Sequence, residues 1–264
     1  GKTTAQLRGS WHNFSKYRPL IRELVTRDLK VKYRRSFLGY VWSILNPLLM
    51  MLLQTLVFSY MFRFQIENFP LYLICGNTLF NFFNESTNMG MGSVLGNSSL
   101  IKKVYVPKFI FPISRVVSSF VNLLFSLAAI ILVMLITRSP FHLTILLVWA
   151  PLVLLFLFTC GIALLLSALA VYFRDLQYLY SIVTMAWMYA TPLFYPISAL
   201  PPFMVAIVKL NPLYHYINCM RCLVMYGTVP GPNTWFACIV CAVGVMVVGL
   251  AAFRKLQRNF ILYL

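Results

Sequence analysis

Acidic side chains are the scarcest chemistry in this sequence. Five Asp and Glu stand against 22 Lys and Arg in 264 residues, and only 10% of the chain is charged. Proton-coupled carriers place acids or histidines at mid-membrane as relays. Intramembrane acids are nearly absent here, which argues against that class. Glu85 is the exception, and its other reading is a site near a helix end paired with a base. Three histidines, His12, His142 and His215, are scattered without a carboxylate or cysteine partner that would suggest catalysis. A nucleotide site is also missing. Gly1-Lys2-Thr3-Thr4 copies the tail of a phosphate-binding loop but lacks the upstream glycine and strand, and it reads as a disordered end. The first apolar run starts only at about Phe37, after a long basic segment with no small-residue cleavage site. The first span is therefore expected to be retained as an anchor.

What the chain has in excess is apolar surface: 61% of it is hydrophobic, against roughly 45–50% in ordinary globular domains. A soluble core cannot hide that much, so lipid must solvate it. A net charge of +17 would suit nucleic acid if it formed a basic face on a soluble module. Here the basic residues cluster between long apolar runs, as in loops held at an anionic membrane surface. The spacing Cys219-x2-Cys222…Cys238-x2-Cys241 formally matches a four-cysteine zinc pattern. Cys238 and Cys241 lie inside the apolar run FACIVCAVGVMVV, so small apolar packing is the simpler reading and no metal is expected.

A helical span needs roughly 20 mostly apolar residues. On that scale the sequence predicts an all-α membrane protein with six spans, at about 38–62, 70–93, 109–136, 142–171, 176–195 and 232–253. Residues 1–37 form a separate basic N-terminal segment, and 38–264 the transmembrane domain. With this division the basic residues fall unequally. Eighteen, from the N-terminus to Arg35 and including Lys102, Lys103, Lys108, Arg115, Arg174, Arg254, Lys255 and Arg258, lie on one side. Arg63, Arg138, Lys209 and Arg221 lie on the other. The positive-inside rule puts the larger set, and both termini, in the cytoplasm. Residues 196–231 are interrupted by Pro196, Pro201, Pro202, Pro212 and Pro230, with Pro232 opening the last span, and their apolar pieces are too short to cross. They are expected to form short re-entrant or interfacial helices, since a seventh span would put Arg254, Lys255 and Arg258 outside.

Residues 17–35 predict an amphipathic helix in the headgroup plane. Leu20, Ile21, Leu24, Val25 and Leu29 follow helical spacing among basic residues, and Glu23–Arg27 and Asp28–Lys32 are i,i+4 pairs. A cap helix on the protein itself is the alternative. In the second span Asn77, Asn81, Asn84 and Asn88 share one face with Thr78 and Glu85 beside it. Amides facing lipid are costly, so this face meets other helices or a wet pathway. The aromatics Trp187, Tyr189, Phe194 and Tyr195 read as an interfacial belt or as stacking partners for sugar rings in a conduit.

The stretch Asn97-Ser-Ser-Leu-Ile-Lys-Lys-Val-Tyr-Val-Pro-Lys-Phe-Ile-Phe-Pro112 resembles the loop and coupling helix of ABC-2 type permeases that export cell-surface polysaccharides. Arg35-Ser-Phe-Leu-Gly-Tyr-Val-Trp42 with Asn46-Pro47, Val171-Tyr-Phe-Arg-Asp-Leu176, Thr191-Pro-Leu-Phe-Tyr-Pro196 and Asn211-Pro-Leu-Tyr214 extend the resemblance over nearly all of the chain from residue 17. The resemblance implies a permease subunit rather than an enzyme. It implies a homodimer bound to two separate ABC ATPase subunits, which hold the ATP and Mg, so that this chain needs no cofactor of its own. The family's substrates are undecaprenyl-linked glycans of O-antigen or teichoic acid type, moved across the cytoplasmic membrane. Carried onto this sequence, Lys102, Lys103, Tyr105 and Pro107 would contact the ATPase from the coupling helix, with Pro107 ending that helix. Arg174 and Asp175 would make a second contact, and Arg34 and Arg35 of the N-terminal helix would attract the lipid pyrophosphate. An ABC-2 exporter of drugs or small hydrophobic molecules, and a membrane enzyme acting on glycans, are the two rival readings.

Overall fold

The computed structural model describes residues 2–61 and 65–263, with side chains from residue 16 onward. Among the described residues every regular element is helical. Arg63, expected on the outer side, lies outside them, as do Gly1 and the side chain of His12. Helix α1, Lys2–Tyr33, starts before the expected amphipathic stretch and takes in most of the segment read as a disordered end. Then follow α2 (Trp42–Met61), α3 (Phe69–Met91), the short α4 (Ser93–Gly96) and α5 (Ser98–Lys103), and the long α6 (Ile110–Ile136) and α7 (Trp149–Tyr172). The chain continues through α8 (Leu176–Ala190), α9 (Pro202–Leu210), α10 (Pro212–Arg221), a π-helical turn at Cys222–Tyr226, α11 (Pro232–Leu256) and a last turn α12 (Phe260–Tyr263).

Four helical stretches among the described residues are long and apolar enough to cross a membrane: Gly39–Met61, Ile110–Ile136, Leu143–Tyr172 and Pro232–Tyr263. The other two expected spans differ from these for separate reasons. With 23 residues, α3 is about 34 Å long at 1.5 Å per residue, which is long enough. Its amides lower its hydropathy, and the fold accommodates them because α3 is walled in by α2, α6, α7 and α10. Helix α8 stops at Ala190, not at 195, and its 15 residues reach only about 22 Å. Pro192 explains the early end, because a residue before proline is pushed out of the helical region; Thr191 has φ −96°, ψ 132°.

Prolines start helices as often as they stop them. Pro202, Pro212 and Pro232 each sit in the first turn of α9, α10 and α11, where no intrahelical N–H is needed. Asn211 caps α10 by accepting from the Leu213 N–H at 3.1 Å. Helices α9 and α10 have 9 and 10 residues, about 15 Å each and half of a hydrocarbon layer.

The core runs through α3, α7, α10 and α11. Phe83 packs on Phe158 at 5.8 Å, and Phe158 on Tyr216 at 5.7 Å. The two longest spans meet at their glycines: a Cβ on Gly249 would strike the Gly161 backbone, and one on Gly161 the Val245 backbone. Small residues at such a crossing let two membrane helices approach to backbone contact. A second cluster forms where α3 and α7 finish and α6 begins. There the apolar face of α1, with Tyr17, Leu20, Ile21 and Leu24, packs on Val94, Ile101, Ile110, Phe111, Phe253 and Phe260. The described part of α1 thus buries its apolar stripe against protein.

Neither expected i,i+4 pair of α1 forms. Asp28 is 7% exposed against α6, and a buried carboxylate needs a partner that reaches it there. Arg115 supplies one at 2.9 Å, Arg27 a second at 3.3 Å, and the Ser118 hydroxyl donates at 3.4 Å. Lys32 turns away from Asp28 to Glu85 of α3, 2.6 Å away. Glu85 is therefore paired with a base six residues before the end of its helix.

Candidate functional site

The amide face of α3 divides by partner. Asn77 donates to Gln54 of α2, and Asn88 donates to the Asn84 carbonyl at 2.7 Å and side-chain oxygen at 2.8 Å. Asn81 and Asn84 line an open cleft of about 540 Å³ bounded by the end of α1, α2, α3 and α6. Trp42 and Asn46 of α2 and Asn122 of α6 complete its polar wall. The Asn122 oxygen is held by Tyr33 at 2.9 Å and Ser43 at 2.5 Å, which fixes α1, α2 and α6 around it. Lys32 and Glu85 also line a second cavity of about 450 Å³, with Arg27, Asp28, Asn97 and Arg115. The ion pair therefore stands between the two spaces.

At the opposite end of α3, Arg221 is 4% exposed and makes no ion pair among the described residues. Carbonyls do the solvating. Nε and Nη2 donate to the Tyr72 oxygen at 3.2 and 3.0 Å, Nη1 to that of Pro192 at 2.7 Å, and Nη2 to that of Leu193 at 3.2 Å. Its guanidinium lies 3.4 Å from the centre of the Tyr72 ring. Tyr72 in turn donates to the Tyr195 carbonyl at 2.9 Å. One planar cation thus joins α10, the segment after α8 and the start of α3. A Cβ on Gly76 would meet that guanidinium, so glycine leaves the room it occupies.

The expected coupling element is α5, but it is shorter than expected. It ends at Lys103, and Val104 is already extended at φ −131°, ψ 136°. Pro107 does not end the helix; it lies four residues beyond, and the Ile110 N–H turns back to its carbonyl at 3.2 Å. Lys102 and Lys103 are exposed on α5, whereas Tyr105, 96% exposed, stands on the extended segment after it. Ile101 anchors the element from below in the α1 cluster. The Lys108 ammonium bonds the Gln257 carbonyl at 3.0 Å and faces the Phe260 ring; burial holds its pKa below the ordinary lysine value. Arg174 and Asp175 are exposed in the turn joining α7 to α8.

A family model for the ABC-2 type transporter matches residues 19–225. The chain belongs to the ABC-2 type transporter family. Its relatives include an O-antigen export system permease protein, RfbA, of Klebsiella pneumoniae, 32% identical over 90% of this chain and 92% of the relative. The RfbA of Myxococcus xanthus is 30% identical over 92% of this chain and 95% of its own length. The polysialic acid transport protein KpsM of Escherichia coli is 24% identical over 90% and 93%. Like them, this ABC-2 permease is a multi-pass membrane transport subunit and not itself an enzyme.

In the ABC-2 permease the sequence-selected residues occupy five separate places. Arg34 and Arg35 are exposed in the turn after α1, not on the helix, where the Ser36 N–H bonds the Tyr33 carbonyl at 3.1 Å. The aromatics near the end of α8 are mostly engaged. Trp187 lies edge-on to Phe83 at 5.0 Å and donates to Asn211 at 2.7 Å. Phe194 stacks on Phe58 at 5.1 Å, and the Tyr195 hydroxyl donates to the Tyr189 carbonyl at 2.8 Å. Tyr189 keeps its ring exposed. Sequence reading missed Arg221 as a structural centre and Asn122, Asn46 and Trp42 as companions of the amide face. A lone arginine in a largely apolar stretch was the available signal for the first. For the others none existed, because contact across four helices leaves no local pattern.

Proposed function

We propose that this chain is the membrane subunit of an ABC exporter that moves undecaprenyl-linked cell-surface polysaccharide of O-antigen or related type across the cytoplasmic membrane. The observation that carries the reading is the similarity, over nine-tenths of the chain, to proteins named as O-antigen export permeases. Two copies of the permease would bind two ABC ATPase subunits, which would hold ATP and Mg.

In this reading α3 and α8 join the four apolar stretches to make six spans. The amides of α3 are tolerable because helices cover them, and α8 is completed by the irregular segment that follows it. Helices α9 and α10 would re-enter from the outer side, α1 would lie at headgroup level, and both termini would be cytoplasmic, as the basic residues demand. Residues 1–37 and 38–264 remain the proposed division. Lys102, Lys103, Tyr105 and Pro107 would meet the ATPase, with Arg174 and Asp175 beside them. ATP binding would draw the ATPases together and rock the permease halves apart. Asn77, Asn81, Asn84, Asn88, Trp187, Tyr189, Phe194 and Tyr195 are the proposed pathway side.

Arg34 and Arg35 are exposed cations in a turn next to the first span, suited to the pyrophosphate of a lipid carrier. Replacing both with Gln should cut export severalfold, read as surface glycan per cell; unchanged export would remove this role. The reading as a whole is tested by ATP turnover of the chain alone and with its co-purified ATPase, with and without undecaprenyl-linked glycan. Turnover only in the complex, raised by glycan, is expected. A chain that binds no ATPase yet alters the glycan by itself would be an enzyme instead.

A further inference from the structure

The geometry points to a binding site for uncharged sugar residues in the open cleft that α2, α3 and α6 of one chain line. It rests on the export reading above and adds where the glycan is held. The cavity volume, about 540 Å³, falls within the roughly 300–1,000 Å³ of small-molecule sites. Asn81 is the thirteenth of the 23 residues of α3, so the cavity lies near the middle of that helix.

Its wall has an unusual content for such a depth. Thr78 lines the cavity, and its hydroxyl is buried just behind that wall with no hydrogen-bond partner among the described residues. A buried hydroxyl without a partner is costly, and a turn of the Thr78 side chain toward a ligand or water in the cavity would recover the bond. Asn81 and Asn46 likewise spend neither their amide N–H nor their oxygen on any described residue, and both are exposed to the space. Asn122 spends its oxygen on Tyr33 and Ser43 and turns its NH2 free. Asn84 has an oxygen already taken by Asn88 and likewise keeps its NH2. The cavity therefore offers hydroxyl and amide donors together with amide acceptors, each fixed by helices on three sides.

That set selects among ligands. An acyl chain would leave the amides unsatisfied, and a phosphate would find no unpaired cation, since Lys32 is neutralised by Glu85 at 2.6 Å. A cationic drug fails for the same reason in reverse. Sugar hydroxyls are donors and acceptors at once and match both halves of the wall, while Trp42 supplies an aromatic surface for a ring's apolar face.

The test uses the whole exporter in cells that display its glycan. A photoreactive benzophenone side chain is placed at Asn81, and in a control at Val247, exposed on α11. After illumination, carbohydrate-stained permease at position 81 and not at 247 is the expected result. Phospholipid adducts alone, or no adduct while export continues, would overturn the sugar site and leave the export reading standing. Absence of glycan export by the unmodified chain would remove the export reading itself. A second measurement covers a labelled chain that does not fold. In the purified complex, Thr78→Val and Asn81→Leu should each raise the lipid-linked glycan concentration for half-maximal ATPase stimulation by about tenfold, as loss of one or two polar contacts does. Unchanged values in both variants would equally overturn the site.

Discussion

Arg221 shows how one residue can hold a segment, residues 191–196, that has no helix of its own. Its fork reaches three carbonyls on two segments, and a lysine cannot do this because its ammonium is a point donor on a flexible stem. Arg221→Gln removes the charge and at least two of the bonds, which predicts a loss of about 3–5 kcal/mol from buried carbonyls left without donors. Arg221→Lys should recover only part of it. Thermal unfolding of the purified permease checks both, and a lysine variant as stable as the parent would mean that the fork geometry is idle. The sequence marks Arg221 only as a lone arginine in an apolar stretch and says nothing of its partners. It counts there only as one of four basic residues on the poorer side of the charge division. Nothing local shows that Tyr72, 149 positions away, lends it a carbonyl and a ring face. The amide face of α3, by contrast, is readable from its 4, 3, 4 spacing, though not which amides would be spent on neighbours.

At the scale of elements, long apolar runs and prolines fix where helices begin and end, because lipid allows no unpaired backbone and proline allows no helical N–H. That is why the observed α2, α6 and α11 start within a few residues of the expected spans, and α7 does so once the 3-10 stretch Leu143–Val148 before it is included, while α8 and α5, whose ends depend on local φ and ψ, are shorter than expected. Contacts between helices are less legible, and two of them carry predictions. Gly161 and Gly249 bring α7 and α11 to backbone contact. Gly249→Val should cost about 3 kcal/mol by overpacking, seen as a lowered melting temperature, and a variant melting like the parent would mean the helices can separate freely there. The Lys32–Glu85 pair joins α1 to α3 across the boundary of two cavities. Glu85→Lys should lower glycan-stimulated turnover severalfold, and adding Lys32→Glu should restore most of it. Failure of the double variant to recover would show that Glu85 acts through something other than this contact.

At the scale of the whole molecule, the distribution of unpaired charge separates what the fold needs from what a partner needs. Asp28, Arg115, Lys32, Glu85 and Arg221 are all engaged within the chain. Lys102 and Lys103 are exposed on α5, and no hydrogen bond or ion pair engages either among the described residues, while Ile101 beside them is buried in the cluster that seats α1 and the ends of α6, α7 and α11. Such an element is held by its apolar side and presents cations outward, as the proposed ATPase contact requires. The double replacement Lys102→Glu with Lys103→Glu leaves that apolar anchor untouched. The melting temperature of the isolated permease should therefore stay within about a degree or two, as expected for surface changes away from buried features. Affinity for the ATPase should instead fall at least tenfold, measured by co-purification at graded salt, because like charges placed at a complementary interface slow its formation and weaken it. If binding survives while the permease itself melts early, the lysines belong to the fold, and α5 owes its place to packing alone.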